Sequence, residues 1–155
     1  MKKILPTVLL TVLTTSIFWL SCSEDSNPLT PSSLAGTYTF VSLTYKPYNS
    51  IVNAGDPVDL GRGLTGTISG TLELTETAFY FTITVEPPAG VICLDQCLSW
   101  ISSGTYAING STMTVVVTGS NIPGIEVGTN TFTVRLNGNR LTMENDEVKI
   151  VFDKQ

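Results

Sequence analysis

The chain contains no histidine. That absence removes Ser-His-Asp and Cys-His catalysis, imidazole-ligated metals and any imidazole pH switch. Charge is also scarce. Of 155 residues 14% are charged, and 8 basic side chains face 13 acidic ones for a net charge of −5. Without Lys2 and Lys3, six basic side chains remain and the balance is −7. An acidic chain with no basic stripe argues against nucleic acid as a partner. No Gly-rich loop follows a strand and opens a helix, so the glycines read as turns and bulges rather than a phosphate cradle. No amphipathic helix of useful length is found. Neither a nucleophile–base pair nor a cofactor motif is visible, so no catalytic residue, metal or cofactor is assigned.

What the chain has in quantity is threonine and β-branched or aromatic apolar residues, a composition that favours strands. The clearest stretch is Ser103 to Thr118, SGTYAINGSTMTVVVT. Tyr106 and Ile108 alternate with polar or small residues, and Met113, Val115 and Val117 do the same beyond Asn109-Gly110. Asn-Gly between two period-2 runs predicts a tight hairpin, expected as a type I′ turn. The same plan recurs along the chain. A first strand runs from Gly36 to Leu43, with a bulge expected at Phe40-Val41 where the alternation slips. A second covers Thr65 to Leu74, and a third places Phe79, Phe81, Ile83 and Val85 on one face. The Ser103–Thr118 hairpin supplies the fourth and fifth strands. Phe132, Val134 and Leu136 mark the sixth, Leu141 and Met143 the seventh, and Val148, Ile150 and Phe152 the eighth.

The connections alternate. Thr75 to Thr77, Asn109-Gly110 and Asn137 to Asn139 are tight, whereas 46–63, 87–97 and 119–129 are long. In an up-and-down meander alternate connections lie at opposite ends. The pattern therefore predicts an all-β, eight-stranded antiparallel barrel with one closed end and one loop-rich mouth. An immunoglobulin-like sandwich is the rival architecture, disfavoured by three tight hairpins in succession.

Met1 to Ser21 has a basic start, an apolar run from Ile4 to Leu20 and a small residue before Cys22, the layout of a secretory signal. Leu20-Ser21-Cys22 resembles the lipobox of bacterial lipoproteins. The resemblance implies cleavage before Cys22, lipidation of that cysteine and attachment to a membrane. Ser23-Glu24-Asp25 resembles the signal that sends some lipoproteins to the outer face of the outer membrane; a plain solvated linker is the other reading. The organisation expected is a signal peptide over 1–21, a flexible lipidated tether over 22–33 and a barrel over 34–155. The location implied is the outer membrane, periplasmic or surface-exposed.

Leu34-Ala35-Gly36-Thr37-Tyr38, Ser103-Gly104-Thr105-Tyr106 and Asn139-Arg140-Leu141-Thr142-Met143 resemble segments of the lipocalin-like (calycin) barrels, specifically small bacterial lipoproteins with such a domain. That resemblance implies non-catalytic binding of a small apolar or amphipathic ligand at the loop-rich end. The candidate contacts are Phe40, Tyr48, Phe79, Phe81, Trp100, Tyr106 and Phe132. The competing reading is that these side chains fill the barrel, since eight strands enclose either a packed core or one small ligand. A solid barrel would make the protein a structural or interaction lipoprotein that presents its mouth loops to another envelope protein. Loop 46–63 reads either as a lid or as a disordered surface loop.

Cys93 and Cys97 form an even pair once Cys22 is lipidated, and in an oxidising compartment the expectation is a disulfide across the mouth loop. Asp56 and Asp59, and Glu144, Asp146 and Glu147, match no calcium-loop spacing and read as solvated acidic turns.

Overall fold

Alternating threonine and β-branched residues extend most of this chain. The computed structural model, which describes residues 28–61, 63–90, 99–122 and 124–155, contains ten strands. They are β1 (Gly36–Tyr45), β2 (Ser50–Asn53), β3 (Pro57–Gly61), β4 (Leu64–Leu74), β5 (Ala78–Glu86), β6 (Ser99–Asn109), β7 (Thr112–Ser120), β8 (Gly128–Asn137), β9 (Arg140–Glu144) and β10 (Val148–Lys154). Strands β4 to β10 pair with their sequence neighbours, β10 pairs with β1, and β1 returns to β4. That last pairing, Gly36 to Thr39 against Leu74 to Thr71, closes an eight-stranded antiparallel barrel.

Period-2 patterning sets the register. On β7 the buried residues are Met113, Val115 and Val117, and on β10 they are Val148, Ile150 and Phe152. A one-residue slip would turn each set to solvent. The bulge expected in the first strand is present, as a register shift between Phe40 and Ser42. Phe40, Phe81 and Phe152 meet at the centre of the core. Phe81 and Phe152 pack edge-to-face at 5.1 Å between ring centroids, and Phe40 lies 6.2 Å from Phe81.

Three details differ from the sequence reading. The hairpin turn is centred on Gly110-Ser111, with Asn109 already paired to Thr112. Of the turn residues only Gly110 has a positive φ, +60°, so the turn meets the Gly-first requirement of type II′ rather than that of I′. The described part of loop 46–63 contains regular structure. After a 3-10 turn at Lys46–Tyr48 it forms β2, which pairs with the far half of β1, and β3, which pairs with the first half of β4. Its short strands escaped notice because Pro and Gly interrupt the alternation.

The third difference lies at the start. Within the segment read as flexible tether, Pro31–Leu34 forms a one-turn helix, α1. Thr30 caps it: its hydroxyl accepts from the Ser33 N–H, and the Ser33 hydroxyl accepts from the Thr30 N–H. Pro31 occupies the first helical position, where its missing N–H and fixed φ are tolerated. Leu34 then packs fully into the core.

Candidate functional site

The barrel interior is the site that the sequence nominates, and both of its ends are occupied by the chain itself. At the closed end, α1 lies across the turns. The Tyr38 hydroxyl donates to the Leu34 carbonyl at 2.6 Å, and the Tyr106 hydroxyl donates to the Thr75 carbonyl at 2.6 Å. Burial, with the nearby Tyr106 as a lesser cause, pushes the Tyr38 phenol up to about 12. Burial also raises Tyr106, with Glu76 adding to the effect. Lys154, on the last strand, reaches over this end: its ammonium donates to the Ser33 carbonyl and sits 5.5 Å from the centroid of the Tyr38 ring.

At the other end, the β7–β8 connection folds inward. Ile122 and Ile125 are buried, a placement that reading 119–129 as a long connection at the loop-rich end did not foresee. Asn121 anchors the entry, since its side chain accepts from the Ile101 N–H at 2.6 Å and donates to the Ser99 carbonyl. Asn130 anchors the exit by donating to the Glu126 carbonyl. Gly124 lets the loop descend: its φ is +78°, and a Cβ there would lie 2.6 Å from a Val148 methyl and 3.0 Å from the Tyr45 ring. The paired Ile-x-x-Ile spacing, preceded by Asn121 and with Gly124 inside it, was the available signal.

Between these ends a cavity of about 20 Å³ remains, walled by side chains that include Phe79, Phe81, Phe132, Ile125 and Ser102. That volume is about one water molecule. The Ser102 hydroxyl is fully buried and has no hydrogen-bond partner among the described residues.

The candidate ligand contacts therefore divide. Phe81 and Phe132 are buried and line the cavity, and the half-buried Phe79 lines it with them. Phe40 and Tyr106 are buried but do not line it. Trp100 is half-buried, paired across the sheet with Ile83. Tyr48 is 79% exposed and packs at a tilt against Tyr45, with 5.4 Å between centroids. The structure does not gather these seven residues around one space. Cys22, Cys93 and Cys97 lie outside the described residues.

Acidic groups are engaged locally. Glu144 pairs with Lys46 at 2.7 Å, and the hydrogen bond from that lysine holds its carboxyl below the usual range. Asp56 accepts from the Asn53 backbone at 2.7 Å and from its side chain at 3.0 Å, which fixes the bend between β2 and β3. Among the described residues, no three or more Asp, Glu or Cys side chains converge as a metal site. An open groove of about 310 Å³ lies where β1 and β4 part, lined by both polar residues such as Thr39, Thr71 and Thr82 and apolar ones such as Phe40 and Ile68, with Ser69 and Glu86 hydrogen-bonded at 2.6 Å.

No family model matches the chain, and no curated protein does. Among solved structures it is similar to the crystal structure of an uncharacterized protein from Bacteroides eggerthii DSM 20697. The TM-score is 0.45 and the identity 15%, covering 78% of this chain and 98% of that one.

Proposed function

We propose that this is a lipid-anchored envelope protein whose barrel is a solid, non-catalytic scaffold acting through its surface on another protein. One observation carries the reading: the interior holds about 20 Å³, against the several hundred Å³ typical of a small-molecule site. Exposed apolar side chains at the loop-rich end, Tyr48, Ile51 and Val127, supply contact surface there. The anchor rests on the sequence around Cys22. The calycin-like resemblance rests on the sequence segments around Tyr38, Tyr106 and Leu141.

The alternative, a cup for a small apolar ligand, requires Ile122 and Ile125 to leave the interior. Native mass spectrometry of the protein from its own host, compared with the denatured chain, separates the two. Bare polypeptide plus acyl groups on Cys22 is the expected result. A non-covalent mass lost on denaturation would overturn the solid scaffold. An unmodified Cys22 in protein recovered from soluble extracts would overturn the anchor alone.

A further inference from the structure

We propose that the outer wall spanning β5 to β8 is where two copies of this chain associate side by side. The inference rests on the anchored-scaffold reading above and adds a contact on the barrel wall, distinct from the apolar side chains at the loop-rich end.

The wall is set apart by charge. In a closed order of eight strands, those four steps apart lie opposite, so β5, β6, β7 and β8 face away from β9, β10, β1 and β4 respectively. The second group carries Glu73, Arg140, Glu144, Lys149, Asp153 and Lys154. The first group carries only Glu86, the last residue of β5, and Arg135, towards the end of β8. Strands β6 and β7 have no charged residue at all.

Exposed apolar side chains gather on that wall. Tyr80, Ile101 and Val116 are 45%, 37% and 44% exposed. Cross-strand pairing makes them near neighbours: Tyr80 sits beside Ser103, Ile101 beside Thr82, and Val116 beside Thr105. The sheet continues outward through short uncharged pairs, Thr114 with Thr131 and Val116 with Thr129.

A second copy fits this face for three reasons. Two uncharged walls meet without stranding a charge, whereas contact through β9 and β10 would desolvate five charged side chains. Four strands about 4.8 Å apart and about ten residues long at about 3.3 Å per residue present roughly 600 Å² per copy. A total of about 1,200 Å², the low end for a specific interface, is therefore the most that two such walls could bury. Convex walls touch over less, so the pair is weak in free solution and gains from confinement to one membrane. Finally, the chain enters at the closed end through α1. A two-fold axis parallel to the barrel axis brings both entering chains out on the same side, as two anchors in one bilayer require.

The test is photo-crosslinking of the full-length protein in its host membrane, with a photoreactive phenylalanine analogue at Val116 and, as control, at Lys149 on the opposite wall. The expected product is a dimer band from position 116 that contains only this chain, with none from position 149. Introducing Val116→Glu beside a photoreactive Tyr80 places like charges across the axis and should cut the yield at least tenfold. Both substitutions point outward, so far-ultraviolet circular dichroism should stay unchanged. Crosslinks to a different protein or to lipid, or no crosslink at position 116, would overturn the proposal. Sedimentation of the Cys22→Ser chain over a concentration series distinguishes the two premises. Self-association of this unanchored chain that Val116→Glu abolishes supports the face even where the anchor fails; monomers at every concentration, together with no membrane crosslink, refute the face.

Discussion

The ammonium of Lys154 stands 5.5 Å from the centroid of the Tyr38 ring, so the last strand and the first are clasped at the closed end of the barrel. The same ammonium donates to the Ser33 carbonyl at 3.3 Å, which ties the clasp to α1. A cation over an aromatic face contributes about 0.5–1 kcal/mol at an exposed site. Lys154→Met should therefore lower stability by about 1 kcal/mol, and Lys154→Arg should restore most of it. Urea unfolding of the three proteins measures this; equal midpoints for Met and Lys would leave the clasp without energetic weight.

Tyr38 also gives the closed end a pH limit. Its phenol is pushed up from 10.0 to about 12 in the folded protein, chiefly by burial. A folded-state pKa above the unfolded one means that the native state holds the proton more tightly. The associated stability is fully present below pH 10 and is lost as pH rises through the folded value. At most about 3 kcal/mol should disappear over that interval. Tyr38→Phe should flatten the profile, while lowering stability near neutral pH by about 1 kcal/mol through the lost bond to Leu34. Tyr106 should leave a smaller residual slope, since its shift has the same direction. Chemical denaturation across the alkaline range checks both effects.

How much of this was legible follows from where the physics is local. Strand register came from alternation in segments such as Met113-Thr114-Val115-Val116-Val117, because a half-buried sheet imposes its period on sequence. Barrel closure by β1 on β4 is non-local, and only loop parity hinted at it. The order of α1 was in reach through Thr30-Pro31, a cap followed by a first-turn proline, but the surrounding Ser and Pro read as linker. The inward course of Ile122 and Ile125 was hidden for a different reason. Two isolated isoleucines in a loop are equally compatible with exposure, and only the size of the interior decides.

Among the described glycines, Gly104 has the least room for a side chain. It sits at the register shift between β6 and β7, and a Cβ there would collide with the backbone carbonyl of Val116 and lie 3.1 Å from the Phe79 ring. Backbone cannot yield as a flexible side chain does. Gly104→Ala should destabilise by about 2–3 kcal/mol, the upper range for overpacking. Thermal unfolding gives the answer, with Gly119→Ala as the comparison, because a Cβ at 119 meets only the Ser103 hydroxyl at 4.0 Å.

Ser102 and Ile125 share the cavity, and substituting each tests a different property of it. The Ser102 hydroxyl is buried without a partner, a situation that costs about 1–3 kcal/mol. Ser102→Ala removes that penalty and little volume, so it should be neutral or stabilising. Ile125→Ala does the reverse: it enlarges an apolar cavity already of about 20 Å³ and should cost about 2–4 kcal/mol. An apolar void of that kind stays dry and admits a small apolar guest. Benzene should therefore raise the melting temperature of Ile125→Ala and leave the parent chain unchanged. If benzene stabilised the parent equally, the β7–β8 loop would already be yielding to ligands, and the interior would be a binding site rather than a packed core.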